Sequence, residues 1–89
     1  MIKFIGEPIA GEDFEYVLEG GDEVKHKILA SVNNRIIYNQ EDECDDPPCH
    51  EMIHIDPNYA SEKILINYSN SEGESQSLEF EVRVRYLRR

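Results

Sequence analysis

Tryptophan is absent from this sequence, and cysteines and basic residues are few. The 89 residues include two Cys, and nine Lys or Arg stand against nineteen Asp or Glu, which gives a formal net charge of -10. Without Trp or a widely spaced cysteine pair, the chain lacks the marks of an antibody-type domain. The charge argues against direct nucleic acid binding, which needs a basic face, and against anionic membranes. It favours a basic protein partner or cations.

Several other features are missing. No apolar run approaches the length of a membrane-spanning helix, and the first residues, MIKFIGEP, lack the apolar core of a signal peptide. We therefore expect a cytoplasmic protein, or one assembled in the cytoplasm into a larger particle. There is no Ser/His/Asp or Cys/His constellation and no glycine-rich phosphate loop. We expect no catalytic residues, no enzymatic activity and no cofactor.

The sequence does contain apolar and polar residues that alternate with a period of two, which is typical of strands with one buried face. The longest such segment is 77–87, in which one face holds Leu78, Phe80, Val82, Val84 and Tyr86. We expect further strands at 2–5, 13–19, 24–32, 35–39 and 62–69. The alternation places Phe14, Tyr16 and Leu18 on one face of the second of these. It places Val24, His26, Ile28 and Ala30 on one face of the third, and Ile64, Ile66 and Tyr68 on one face of the last. Turn signals separate the strands, and we expect hairpin turns at residues 20–22 and 33–34 and a hairpin with a longer polar loop at 70–75.

Six or seven short strands without a long helix predict an all-β fold. We expect a single β-rich domain over residues 1–89, built as a small antiparallel β-sandwich of immunoglobulin-like architecture. A small β-barrel is the alternative.

Residues 39–56 concentrate the chemistry of the chain. They contain both cysteines, two of the three histidines and the densest run of acids, and we expect residues 40–48 to form an acidic loop. Within this stretch, residues 50–54 match H-E-x-x-H, which binds zinc when a helix brings both histidines to one face. A strand would set His50 and His54 about 13 Å apart. Because every other segment reads as extended, we expect residues 50–55 to be extended and the two histidines not to share a metal.

The two cysteines allow three interpretations. Cys44 and Cys49 could form a structural zinc site with His50 and His54, although we favour no metal. They could instead form a disulfide, because the four residues between them can turn the chain back on itself. Two free thiols are the third interpretation, and the redox compartment decides between it and the disulfide.

Charge singles out two groups of candidate partner-binding residues. The acidic group is Glu41, Asp42, Glu43, Asp45 and Asp46. The basic group is Arg83, Arg85, Arg88 and Arg89, which lie in the only basic cluster of the chain. Arg83 and Arg85 can pair across strands with acids such as Glu62 or Glu15, depending on the strand order. The basic end could also dock onto an acidic patch of a partner or of a neighbouring copy.

The sequence therefore predicts a non-enzymatic, acidic binding or structural module that docks onto a protein partner or into a larger assembly. A viral or phage accessory protein, either capsid-decorating or host-inhibiting, is one setting that fits the size and the acidity. The alternatives are a small zinc protein, structural or hydrolytic, that uses the Cys/His cluster, and an acidic mimic of nucleic acid.

Overall fold

The computed structural model of the protein describes residues 2–20 and 23–84. They form seven strands, with bounds β1 Ile2–Ile5, β2 Asp13–Leu18, β3 Lys25–Val32, β4 Arg35–Glu43, β5 Cys49–His54, β6 Lys63–Asn70 and β7 Ser75–Glu81. A 3-10 helix at Pro57–Tyr59 begins where the Asp56 side chain accepts from the backbone N–H of Asn58 at 2.8 Å. In these two ranges, no helix is long and apolar enough to cross a lipid bilayer.

The strands form two antiparallel sheets, in the orders β1-β2-β5 and β4-β3-β6-β7. The sheets pack face to face, so the predicted small β-sandwich of immunoglobulin-like architecture is confirmed. The edge strand β4 of one sheet and the edge strand β5 of the other lie on the same side of the sandwich, because the short connection of residues 44–48 joins them.

The core lies between the sheets and follows the alternation in the sequence. In β2 the predicted inner residues Phe14, Tyr16 and Leu18 are buried, and in β6 Ile64, Ile66 and Tyr68 are buried. The predicted inner residues His26, Ile28 and Ala30 of β3 are buried, as is Val24 just before the strand, and Val32 is buried on the same strand. Phe80 of β7 packs edge-on against Phe4 and Phe14, with ring centroids 5.2 and 5.3 Å apart, and so joins the two sheets.

Two of the three expected hairpins are confirmed. Asn33 and Asn34 adopt φ of 51° and 64°, and β3 and β4 pair on either side of them. Asn tolerates this left-handed region better than most residues, which explains the pair at this position. Strands β6 and β7 pair across the loop that begins after Asn70.

The expected hairpin at residues 20–22 is wrong, because β2 and β3 belong to different sheets. Gly21 and Asp22 lie outside the described residues. The connection carries the chain from the three-stranded sheet to the four-stranded one, so two adjacent strands in sequence do not pair.

Two predicted strand ends also differ. Strand β4 continues to Glu43, so the first four residues of the expected 40–48 loop are strand. At the other end, β7 stops at Glu81 rather than continuing to residue 87. Val82 is buried, but Val84 is 46% exposed and is not a core residue. Tyr86 and Leu87 lie outside the described residues.

A β-bulge interrupts the pairing of β3 with β4. Ala30 pairs with Tyr38 and Ser31 with Ile36, which leaves Ile37 as the extra residue. Bulges shift the alternation of the longer strand by one residue. As a result Ile36 is exposed on the outer face, whereas Tyr38 points toward the core.

Candidate functional site

Strand β4 has one free edge. It stands at the end of the four-stranded sheet, and within the described residues it pairs only with β3. The N–H and C=O groups along the other edge of such a strand are available for pairing with another chain. This free edge is nine residues long, which makes β4 the longest strand described.

Carboxylates occupy both sides of the last part of β4. Glu41 and Glu43 are exposed on the outer face, in register with Lys27 and Lys25 of β3. Asp42 points to the opposite side, in register with buried His26, and accepts a hydrogen bond from Gln40 Nε2 at 3.0 Å. Among the described residues, neither Glu41 nor Glu43 forms an ion pair.

The Cys44–Cys49 disulfide closes the loop that follows β4. The two sulfurs are 2.05 Å apart and the Cα atoms 6.1 Å apart. Cys44 is only 2% exposed, so the bridge is anchored in the interior. Of the interpretations that the sequence left open, the structure has the disulfide, which ties the end of β4 to the start of β5 and hence one sheet to the other. Asp45 and Asp46 are exposed on this loop, which also contains a cis peptide bond before Pro48.

We call residues 39–46 the acidic edge. It holds all five acids of the predicted acidic group, and the fold brings them together on one strand end and the loop after it. A shallow surface depression of about 300 Å³ is lined by Lys25 and by Glu41, Asp42 and Glu43. The five carboxylates outnumber the two neighbouring lysines, Lys25 and Lys27, so the local potential is negative and would attract a cationic segment.

The predicted extended conformation of residues 50–55 is confirmed for β5. His50 Nδ1 lies 2.8 Å from Glu15 Oε2, and His54 Nδ1 lies 3.0 Å from Asp13 Oδ1, both at the exposed surface. Each histidine therefore pairs with its own carboxylate on β2. Nothing in residues 2–20 and 23–84 brings three or more His, Cys, Asp or Glu side chains into a metal-holding arrangement. With both cysteine sulfurs bonded to each other, the four candidate zinc ligands are not brought together.

His26 is buried in the core beside the acidic edge. Its Nδ1 shares a hydrogen bond of 2.7 Å with the hydroxyl of Tyr68, which also accepts from Asn70 Nδ2 at 3.0 Å. Burial lowers the pKa of His26 from its ordinary value of 6.5, although the carboxylates of Glu72, Glu74 and Asp42 act in the opposite direction. His26 is thus a core histidine with a hydrogen-bond partner, and its burial favours the neutral ring.

Arg83 lies at the opposite corner of the four-stranded sheet from the acidic edge. It follows β7, whereas the acids end β4 at the other edge. Its guanidinium donates to Glu7 Oε2 at 2.8 Å, so the suggested pairing with Glu62 or Glu15 is wrong. The reason is that its backbone pairs with Ile9, in the connection between β1 and β2. Arg85, Arg88 and Arg89 lie outside the described residues.

A depression on the outer face of the four-stranded sheet was missed by reasoning from the sequence. It has a volume of about 340 Å³ and is lined by Lys27, Leu29, Asn67 and serines of β6 and β7. The only signal was the run of small polar residues in 67–77, which also fits an ordinary solvated sheet face. No carboxylate lines it, so it is distinct from the acidic edge.

No protein-family model matches the chain, and no curated protein matches it in sequence. The acidic edge and the fold that presents it are therefore the features that bear on the function of the chain.

Proposed function

We propose that this chain is a non-enzymatic, acidic β-sandwich module that docks onto a protein partner or into a larger assembly. The docking surface is the acidic edge, and the partner supplies a basic segment in an extended conformation. The observation that carries this proposal is the coincidence of a free, nine-residue strand edge with carboxylates on both of its sides.

Strand addition provides the binding mode. An extended segment that pairs with the edge of a sheet gains affinity from main-chain hydrogen bonds and specificity from alternate side chains. In β4 those alternate positions carry Glu41 and Glu43 outward and Asp42 inward. A segment with Arg or Lys on both of its sides complements this pattern, and its charges would speed the encounter.

The acids also make the edge selective. Proteins commonly protect free edges with charges, because like charges repel a second identical edge. Glu41 and Glu43 would therefore oppose pairing of β4 with β4 of another copy, while they accept a basic strand. The Cys44–Cys49 disulfide restricts the loop, so Asp45 and Asp46 stay close to the same surface.

The disulfide also supports a proposal about the setting of the module. Disulfides persist mainly in oxidising environments, so we propose that the chain assembles into a particle that leaves the cytoplasm or tolerates oxidation. A viral or phage accessory protein is one such setting.

Binding of defined peptides tests the proposal. A short alternating Arg–Val peptide and its Glu–Val counterpart are titrated into isotope-labelled protein, and the backbone amide signals are followed by NMR. The Arg–Val peptide should shift the signals of residues 39–46 at about 0.15 M salt and not at about 1 M, where the Debye length falls from about 8 to about 3 Å. The Glu–Val peptide should cause no shift.

A charge-matched pair of variants locates the site. Glu41→Lys with Glu43→Lys should weaken Arg–Val peptide binding roughly tenfold or more. Glu79→Lys with Glu81→Lys makes the same charge change on exposed positions of β7, at the other edge of the sheet, and should leave binding close to that of the original protein. If the peptide does not bind, or binds both variants equally, the acidic edge is not the docking surface.

A further inference from the structure

The basic end of the chain begins from a fixed point. Residues 82–89 contain four of the nine Lys and Arg residues and no acid. The backbone N–H of Val82 donates to the carbonyl of Glu62 at 2.8 Å, and that of Arg83 donates to the carbonyl of Pro8 at 2.9 Å. Val82 and Arg83, from which the basic end continues, are therefore held on the side of β1 and β7.

This point lies far from the acidic edge of the same molecule. Three strand spacings separate β7 from β4, about 14 Å. Glu41 pairs with Lys27 of β3. Glu81 pairs with Lys63 of β6, which lies one position beyond Ile64, the partner of Val32 on β3. Glu41 and Glu81 are therefore six positions apart along the strands, which is about 20 Å. Combined with the perpendicular distance of about 14 Å across the strands, this separates the two residues by about 24 Å.

The reach of the basic residues is shorter. Arg85, Arg88 and Arg89 lie within the five residues that follow Val84, which span at most about 17 Å when fully extended. Because Val82 and Arg83 are held away from β4, the backbone of residues 85–89 cannot pair with β4 at Glu41 or Glu43 of its own copy.

We infer that residues 85–89 of one copy add as a short strand to the acidic edge of a second copy. The inference rests on the proposed function and names the partner as this same chain. In an added strand, Arg85 and Arg89 fall on one side and Tyr86 and Arg88 on the other. Arginines on both sides match an edge whose acids also lie on both sides.

The resulting contact is head to tail. Each copy offers a basic end at one corner of its four-stranded sheet and an acidic edge at the opposite corner, so both remain available after one of them is used. A heterologous contact of this kind makes rings if the rotation closes and open chains if it does not. Symmetric pairing of two acidic edges is opposed by their like charges.

Sedimentation velocity of the purified protein tests this inference at about 0.15 M and about 1 M salt. The original protein should show oligomers that grow with concentration at the lower salt and only monomer at the higher. A chain truncated after Val84, which keeps buried Val82, should be monomeric in both. So should a full-length variant with Arg85→Glu, Arg88→Glu and Arg89→Glu, which covers the case in which truncation impairs folding.

Mixing separates head-to-tail docking from other association. The truncated chain keeps the acidic edge but has no basic end, whereas Glu41→Lys with Glu43→Lys keeps the basic end but loses the edge. Each alone should be monomeric, and an equimolar mixture should form dimers and nothing larger. A mixture that stays monomeric, or a truncated chain that associates like the original protein, overturns the inference.

The two proposals fail separately. If the original protein is monomeric at every concentration while the Arg–Val peptide binds residues 39–46, self-docking is wrong and the docking function stands. If the protein is monomeric and the peptide also fails to bind, both are wrong.

Discussion

The hydroxyl oxygens of Tyr16 and Tyr38 lie 2.7 Å apart and join the two sheets by a hydrogen bond. Tyr16 belongs to β2 and is fully buried, whereas Tyr38 belongs to β4 and is half-buried. Burial raises the pKa of both phenols, so both are protonated and can donate. The bond holds the free-edge strand β4 to the interior of the opposite sheet.

Replacing Tyr38 by Phe should therefore destabilise the protein by about 1–3 kcal/mol, because it leaves the buried hydroxyl of Tyr16 without its partner. The double variant Tyr16→Phe with Tyr38→Phe removes both polar groups and should cost less than the sum of the two single changes. Urea unfolding of the four proteins measures the coupling. Strict additivity would mean that the hydrogen bond contributes nothing specific.

The stability of the protein should fall as the pH drops below about 6.5, because the folded state holds His26 with a lowered pKa. A group of this kind binds its proton less readily when folded, so its contribution is complete above the unfolded pKa and is lost as the pH falls. Urea unfolding at about pH 7.5 and about pH 5.5 measures the difference.

His26→Gln provides the comparison for this pH dependence. The exposed His50 and His54 are present in both proteins, so their contributions cancel when the two pH dependences are subtracted. His26→Gln should show the smaller loss on acidification. Equal losses would mean that the buried imidazole does not cause the pH dependence.

Two isoleucines test the assignment of inner and outer faces. Ile66 is fully buried between the sheets, whereas Ile36 is 59% exposed on β4. Ile66→Ala should lower the free energy of unfolding by about 2–5 kcal/mol through lost burial and a cavity. Ile36→Ala, the same change of side chain, should stay within about 0.5 kcal/mol of the original protein. Similar effects at both positions would contradict the described register of β4.

Loss of the Cys44–Cys49 disulfide should destabilise the fold by about 2 kcal/mol, as the chain-entropy model gives for so short a loop. The variant with both cysteines changed to Ala should unfold at lower urea concentration, and dithiothreitol should bring the original protein close to it. The reductant should have no effect on the variant itself. If the original protein is equally insensitive, the two sulfurs are not bonded in solution.

The sequence predicted the faces of the strands better than their partners. Alternation identified Phe14, Tyr16 and Leu18 as inner residues because burial of one face is a local property of a strand. The glycines at 20 and 21 predicted a turn, but which sheet the chain enters next depends on long-range packing. For the same reason, the regular pattern of residues 77–87 did not indicate a change of backbone partner after Val82. The N–H of Val82 donates to Glu62, whereas that of Arg83 donates to Pro8 in the connection between β1 and β2.

The candidate site was predicted in composition but not in form. The acids of residues 41–46 stood out by charge, yet they were expected in a loop because polar side chains without apolar alternation give no strand signal. The end of an edge strand needs no apolar face where neither of its sides is fully buried, so Gln40 to Glu43 can be extended and hydrophilic. Whether the cysteines pair could not be read from the sequence either, since it depends on how the intervening loop folds.

The extra residue in β4 determines which acids a partner meets first. Without the bulge at Ile37, each residue from Tyr38 to Glu43 would exchange faces, because the side-chain period of a strand is two. Glu41 and Glu43 would then point between the sheets, and Asp42 would face outward alone. One inserted residue, four positions before Glu41, therefore converts a strand that could bury two carboxylates into one that displays them. A shift of a single position in this strand would change the recognition properties of the whole edge while leaving its composition unchanged.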